Sequence, residues 1–266
     1  MSTEPEPHRR ALITGASEGL GRAFALALAA EGHTVTAVAR TEHRLLALMA
    51  ELAELAELSE LGPGDHDFIV ADLATPEGIG TVADALTDAK GTKGAPYDLL
   101  VNNAGLAHAG PFTDTPVDRA GPMIRLNCEA VVTLSHAFLA AARPGAALVN
   151  VASTLAFTPK PGQAVYSATK AFVASFSEAL WYEQKPRGVQ VLALCPGPTA
   201  TRPGLHDDVP SALVMEPGAV VTSALKALRR HRRPTVVPGR ANAFMARVIR
   251  ALPRGRALSL LADDAF

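Results

Sequence analysis

The chain has little of what cross-links or staples a fold. Two cysteines, Cys128 and Cys195, among 266 residues are too few and too isolated for a disulfide framework or a CxxC metal site. Aromatics are only 5% of the sequence, so the core must come from alanine, valine and leucine, which favours close packing of helices on a sheet. A formal net charge of -1 gives no global attraction to nucleic acid or an anionic membrane. No apolar run reaches the roughly 18 residues that a membrane span needs. The first ten residues, MSTEPEPHRR, lack the apolar centre of a signal peptide. These absences predict a cytoplasmic protein with no membrane span and no nucleic-acid partner. The one metal-like cluster, His206 to Asp208, lacks a third spaced histidine and reads as a solvated loop, so no metal is expected.

What is present is apolar and alternating. Hydrophobic residues make up 48%, enough for a sizeable core. After a loose tail at residues 1–9, the chain alternates short apolar runs with helical text. The runs are ALIT, HTVTAVA, DFIVA, YDLLVNNAG, AALVNVAS, VQVLALCPGP and PTVVPG. Helical segments are expected at Leu20–Ala30, Thr41–Leu58, within residues 72–86, at Pro116–Met123, Asn127–Ala142, Gln163–Gln184, Pro217–Arg230 and Ala241–Ala251. Leucines at 45, 48, 52, 55 and 58 trace one helical face. Strands that are apolar throughout, and not every second residue, mark a parallel sheet covered on both sides. The fold class is therefore α/β: a doubly wound, Rossmann-type parallel sheet of about seven strands with helices on both faces, formed as one domain over residues 10–266.

In such a sheet, ligands bind beyond the carboxyl ends of the strands. TGASEGLG follows the first strand and holds Gly15, Ser17, Gly19, Leu20 and Gly21. Its glycines permit a tight turn and close approach to a pyrophosphate at a helix N-terminus. It lacks the Gly-Lys-Ser/Thr of a nucleoside triphosphate loop. At the end of the second strand stands Arg40, where an acid would suit a ribose hydroxyl and an arginine suits a 2′-phosphate. NADP(H) is thus favoured, with NAD(H) as the alternative; a solvated arginine is the plainer reading of Arg40. Asp72 is placed either to accept from an adenine amino group, with Leu73 packing near the ring, or to cap the next helix, a role that Thr75 also fits.

The pieces TGASEGLG, ADL, NNAG, Asn127, Ser153, YSATK and CPGPT occur in an order and spacing that closely resembles the short-chain dehydrogenase/reductase family in its single-domain form. The resemblance runs over roughly residues 10–200. It implies that Tyr166 is the general acid or base. Lys170 would bind the nicotinamide ribose and lower the tyrosine pKa, Ser153 would polarise the substrate carbonyl, and Asn127 would maintain a water-linked proton relay. It also implies that Asn102, Ala104 and Gly105 lie beside the cofactor, that Pro196 and Gly197 shape the nicotinamide wall, and that Thr199 bonds the carboxamide. The chemistry agrees with the residue types: an i,i+4 pair shares a helix face, and an ammonium stabilises a phenolate. Taken singly, Tyr166 could only pack, Ser153 could only turn the chain, and Asn127 could only cap a helix. Glu18 departs from relatives that prefer NADP, which often carry a basic residue there; its carboxylate would repel a 2′-phosphate unless it turns away or pairs with an arginine.

Residues 199–216 are expected to form a substrate lid. With Leu155, Ala156 and Phe157 they suggest an apolar pocket for a hydrophobic ketone, aldehyde or secondary alcohol, such as a 3-oxoacyl chain, a steroid-like ketone or an aromatic ketone. Carbonyl reduction is the expected direction. NAD-dependent alcohol oxidation and a non-catalytic cofactor-binding regulator or scaffold are the alternatives. A homodimer or homotetramer is implied through the helices at 127–142 and 163–184. The basic run from Leu228 to Pro234 suits a helix C-terminus. The C-terminal segment is expected to cover the pocket or a subunit interface in preference to a membrane surface.

Overall fold

A computed structural model describes residues 9–58, 65–87, 96–114, 116–202, 206 and 209–262. Most of the expected tail at 1–9 lies outside them, as do parts of the expected lid, including Asp207 and Asp208 of the metal-like cluster. Seven parallel strands form one sheet in the order β3-β2-β1-β4-β5-β6-β7. They are β1 (Arg10–Thr14), β2 (Thr34–Ala39), β3 (Asp67–Val70), β4 (Leu99–Asn102), β5 (Ala147–Val151), β6 (Gln190–Leu194) and the short β7 (Thr235–Val236). This is the doubly wound Rossmann-type sheet that the apolar runs predict. The order reverses between β1 and β4, which opens a crevice at their carboxyl ends.

Side-chain alternation along each strand divides the core into two apolar layers. Ala11 and Ile13 of β1 face α1 (Gly19–Ala30), α2 (Glu42–Leu58) and α7 (Pro217–Arg230). Leu12 faces the opposite layer, with α3 (Pro76–Thr87) and α5 (Ala130–Ala141). On α2, Leu45, Leu48 and Leu52 are buried in the first layer, as their spacing predicts. The strands are apolar on both faces because both faces are covered.

Three local features differ from the sequence reading. The two helical stretches expected at 116–123 and 127–142 join into one path: α4 (Val117–Ile124), a π-helical turn (Arg125–Glu129) and α5. Asn127 sits inside that π turn and caps no helix. After α8 (Arg240–Ala251), Pro253 stops the chain and a further helix, α9 (Arg254–Ala262), follows. The long helix α6 (Ala164–Glu183) matches its expected span closely.

A polar ladder ties β4 and β5 to the helices behind them. Asn102 Nδ2 donates to Asn150 Oδ1 at 2.9 Å and to Ser135 Oγ at 3.1 Å, and Asn150 Nδ2 donates to Ser177 Oγ at 3.0 Å. All four side chains are buried, so each amide must find its partners inside the protein. Asn150→Ala removes the acceptor for Asn102 and the donor for Ser177. It should lower unfolding free energy by roughly 1–3 kcal/mol, measured by urea denaturation.

Candidate active site

The crevice is assembled around the end of β1. Thr14 Oγ1 accepts from the backbone N–H groups of Asn103 and Ala104, both at 3.0 Å. Asn103 Nδ2 donates back to the carbonyls of Thr14 at 2.9 Å and Gly15 at 3.2 Å. Gly15 adopts φ +65°, and a Cβ there would stand 2.9 Å from the Ala104 backbone. A Cβ on Gly21 would lie 2.1 Å from the Gly15 carbonyl oxygen. These positions demand glycine because the two loop segments touch. Helix α1 starts at Gly19 with no side-chain cap, leaving its first N–H groups directed at the crevice. A glycine cradle beneath an uncapped helix N-terminus fits a dinucleotide pyrophosphate. Thr14 and Asn103 escape the sequence reading, although both lie within the quoted motifs.

The second-strand end resolves the problem posed by Glu18. Its carboxylate accepts from Arg202 at 2.5 Å and from Arg44 at 3.0 Å. These partners, Arg202 foremost, hold the carboxyl below the usual range. Arg40 stands exposed at the end of β2. Across the crevice, Thr201 packs on Gly19, whose added Cβ would meet Thr201 Cγ2 at 3.0 Å. The start of the expected lid therefore lies on the glycine loop. Nothing in the local sequence near either segment announces this contact between residues 18 and 202.

Other expected cofactor residues are distributed unevenly. Asp72 accepts from Ala74 N at 2.9 Å through Oδ1, while Thr75 Oγ1 accepts from Gly78 N at 3.1 Å and caps α3. Leu73 is buried in the core layer beside α3, leaving its main chain at the strand end. Asn102 likewise directs its amide into the sheet ladder and away from the crevice, because its position in β4 faces α5. Leu20 packs partly against the first layer. Thr199 Oγ1 donates to the Gly197 carbonyl at 3.0 Å. Main-chain bonds from Ala200 N to Met215 O at 2.9 Å and from Met215 N to Pro198 O at 3.0 Å close the base of the lid. Asn242 of α8 locks that base by donating to Leu213 O at 3.0 Å, and a Cβ on Gly197 would stand 2.6 Å from its Oδ1.

Four expected catalytic residues converge at the end of β5. Ser153 accepts from Leu155 N at 3.2 Å and hydrogen-bonds Tyr166. Lys170 is buried, and its Nζ donates to Val151 O at 2.8 Å and lies 5.7 Å from the Tyr166 ring centroid. Asn127 Oδ1 accepts from Leu106 N at 2.9 Å, while Nδ2 donates to Leu106 O at 2.9 Å and to Thr169 Oγ1 at 3.0 Å. Gly105 leaves room for both polar groups, since a Cβ there would meet Asn127 Oδ1 at 3.3 Å and Lys170 Nζ at 3.4 Å.

Electrostatics at this cluster are set by burial. The Tyr166 phenol is pushed up by desolvation, which its hydrogen bond with Ser153 offsets only in part. The lowering expected from Lys170 is not found: its ammonium donates to the Val151 carbonyl and lies 5.7 Å from the ring centroid, and burial leaves the phenol raised. Desolvation lowers Lys170 itself to about 8. Burial pushes Cys195 up to about 12 and also raises Cys128, so neither thiol is an activated nucleophile.

A family model described as short chain dehydrogenase matches residues 9–205. The very-long-chain 3-oxoacyl-CoA reductase of Phaeosphaeria nodorum is 34% identical over 237 residues, covering 83% of this chain and 63% of that protein. The chain spans 52% to 63% of the length of the first fungal reductases it matches. The bulky-bulky ketone specific alcohol dehydrogenase from Comamonas testosteroni superposes with a TM-score of 0.74 at 29% identity, covering 92% of this chain and 95% of that one. A short-chain dehydrogenase from Sphingobium yanoikuyae in complex with NADPH gives 0.75 at 31% identity, covering 91% and 92%.

A lysine whose folded pKa is depressed carries a stability penalty that is full below pH 8 and relieved as pH rises toward its unfolded value of 10.5. Lys170→Met should therefore gain stability relative to the parent at pH 7. That advantage should shrink by roughly 1 kcal/mol per pH unit above 8. Urea denaturation of both proteins at pH 7 and 9.5 measures it; a difference that does not change with pH would contradict the depressed pKa.

Proposed function

The chain belongs to the short-chain dehydrogenase/reductase family of oxidoreductases, and from that premise we propose that it reduces a hydrophobic carbonyl with NADPH. The observation that carries this reading is the convergence of Ser153, Tyr166, Lys170 and Asn127 beside the glycine cradle. Gly15, Gly19 and Gly21 would hold the pyrophosphate, with Ser17 and Arg40 toward a 2′-phosphate and Asp72 toward the adenine. Ala104, Gly105, Pro196, Gly197 and Thr199 would border the nicotinamide. NADPH supplies the hydride to the carbonyl carbon.

The protein residues manage the oxygen. Ser153 donates to the carbonyl oxygen and draws charge toward it. Tyr166, kept protonated by burial, gives its proton to that oxygen as the alcohol forms. Lys170 then stands one helical turn away from the new phenolate, which its ammonium stabilises. Asn127, held by Leu106 and Thr169, would keep in place a water-linked relay past Lys170, by which solvent returns a proton to the phenolate. The overall change converts a ketone or aldehyde, NADPH and a proton into an alcohol and NADP+.

Pairing of Glu18 with Arg44 and Arg202 supports NADP(H), since the carboxylate that would oppose a 2′-phosphate is already neutralised. An apolar substrate is supported by Leu155, Ala156 and Phe157 after Ser153, and by the ketone and 3-oxoacyl specificities named for the similar proteins. No helix among the described residues is long and apolar enough to cross a membrane, which is compatible with a cytoplasmic location. A homodimer or homotetramer through α6 would cover its exposed Phe172 and Tyr182.

With a panel of ketones and NADPH, Tyr166→Phe should lose roughly 10²–10⁴-fold in turnover while keeping its NADPH affinity; undiminished turnover would refute the mechanism. Arg40→Ala should weaken NADPH roughly tenfold and leave NADH unchanged in fluorescence titration. Equal losses for both cofactors would remove the role given to Arg40.

A further inference from the structure

A second concavity lies on the C-terminal side of the sheet. It is a groove of about 1020 Å³ between the end of α7 and α8. Seven of its fifteen lining residues are lysine or arginine and none is acidic, although the whole chain carries a net charge of -1. A helix dipole accounts for basic residues at the end of α7. It accounts also for Arg250 in the last turn of α8, but not for Arg247, which reaches the same groove from further back on that helix. Arg229 is paired with Glu31 at 2.5 Å, and Arg250 caps the Phe157 ring at 4.8 Å. For Lys226, Arg230, Arg232, Arg233 and Arg247 there is no carboxylate partner among the described residues. Nearby Glu178 accepts from Thr235 at 2.7 Å at the edge.

The floor is apolar and includes Phe157, the last residue of the turn that follows Ser153. Val237 and Phe157 pack in the cluster that holds Ala152 and Cys195. Phe157 closes the short turn that Ser153 opens, and Arg254 Nη1 donates to the Phe157 carbonyl at 3.1 Å. Arginines on two facing walls suit a compact polyanion, because each guanidinium offers a planar fork to phosphate oxygens. A vesicle would have to be read by a convex face. A second copy with the same groove across a two-fold axis would bring like charges together.

We propose that this groove is a subsite for the polyphosphorylated nucleotide end of a coenzyme A thioester. The acyl arm passes Phe157 to place its carbonyl at Ser153. This assignment of substrate class rests on the reductase reading above; binding of the nucleotide end does not.

Calorimetric titration of the full chain, saturated with NADP+, with free coenzyme A tests the site without turnover. Saturable binding is expected, weakened at least tenfold in the triple variant Arg230→Gln, Arg233→Gln, Arg247→Gln, with NADP+ affinity unchanged. The single reversal Arg247→Glu, on an exposed position, should act in the same direction. No binding, or equal binding by parent and variants, would overturn the proposal. So would association with phosphatidylserine vesicles that the triple variant abolishes while coenzyme A fails to bind. In turnover, the triple variant should lose at least tenfold in kcat/KM for a 3-oxoacyl-coenzyme A and keep that for the same chain on N-acetylcysteamine; equal losses would also overturn it.

Discussion

A buried ammonium organises the site. Lys170 lies in the protein interior with a pKa lowered to about 8, so every neighbour either holds its charge or makes room for it. The Val151 carbonyl accepts its hydrogen bond, Gly105 withdraws the Cβ that would crowd it, and Asn127 stands close by on the π turn. A buried charge persists only when hydrogen-bonded. The end of β5, the loop after β4 and the α4–α5 path are therefore bound to one another by what that one side chain requires.

The dinucleotide side of the crevice obeys a different constraint, that of close approach. Thr14, Asn103 and Gly15 knit the loops after β1 and β4 with backbone and side-chain bonds. The glycines are required because these loops touch each other, quite apart from any ligand. On the far side, Glu18 joins the glycine loop to Arg202, and Asn242 of α8 holds the segment at Leu213. The walls of the crevice thus come from segments that are distant in sequence and meet only when the sheet is complete.

Much of this was legible from residue patterns. The strands are apolar on both faces, and Leu45, Leu48 and Leu52 mark the buried face of α2 because helical periodicity is local. The spacing of Tyr166 and Lys170 announces a shared helix face for the same reason. The π turn at Arg125–Glu129 was not legible, since it replaces one hydrogen-bonding pattern with another without any punctuation in the sequence. The expected helices end at Ala251, and α9 lies beyond them, where Pro253 separates two helices. The side chains of Asn102 and Leu73 lie at strand ends beside the crevice, yet one joins a buried amide ladder and the other the core. Which face of the sheet a strand-end residue takes depends on the pleat, and motif matching carries no information about that.

Local chemistry by itself determined the parallel α/β architecture and the glycine cradle, because hydrophobic periodicity and steric freedom are properties of short segments; the roles expected of Ser153, Tyr166 and Lys170 came from the family resemblance. Only the tertiary structure decided how their charges behave. It placed two arginines on Glu18, from α2 and from the lid. It raised Tyr166 and lowered Lys170 through burial, and gathered basic residues from α7 and α8 into one groove. Desolvation and ion pairing depend on what surrounds a group in space, and in this chain those surroundings come from segments as much as 198 residues apart.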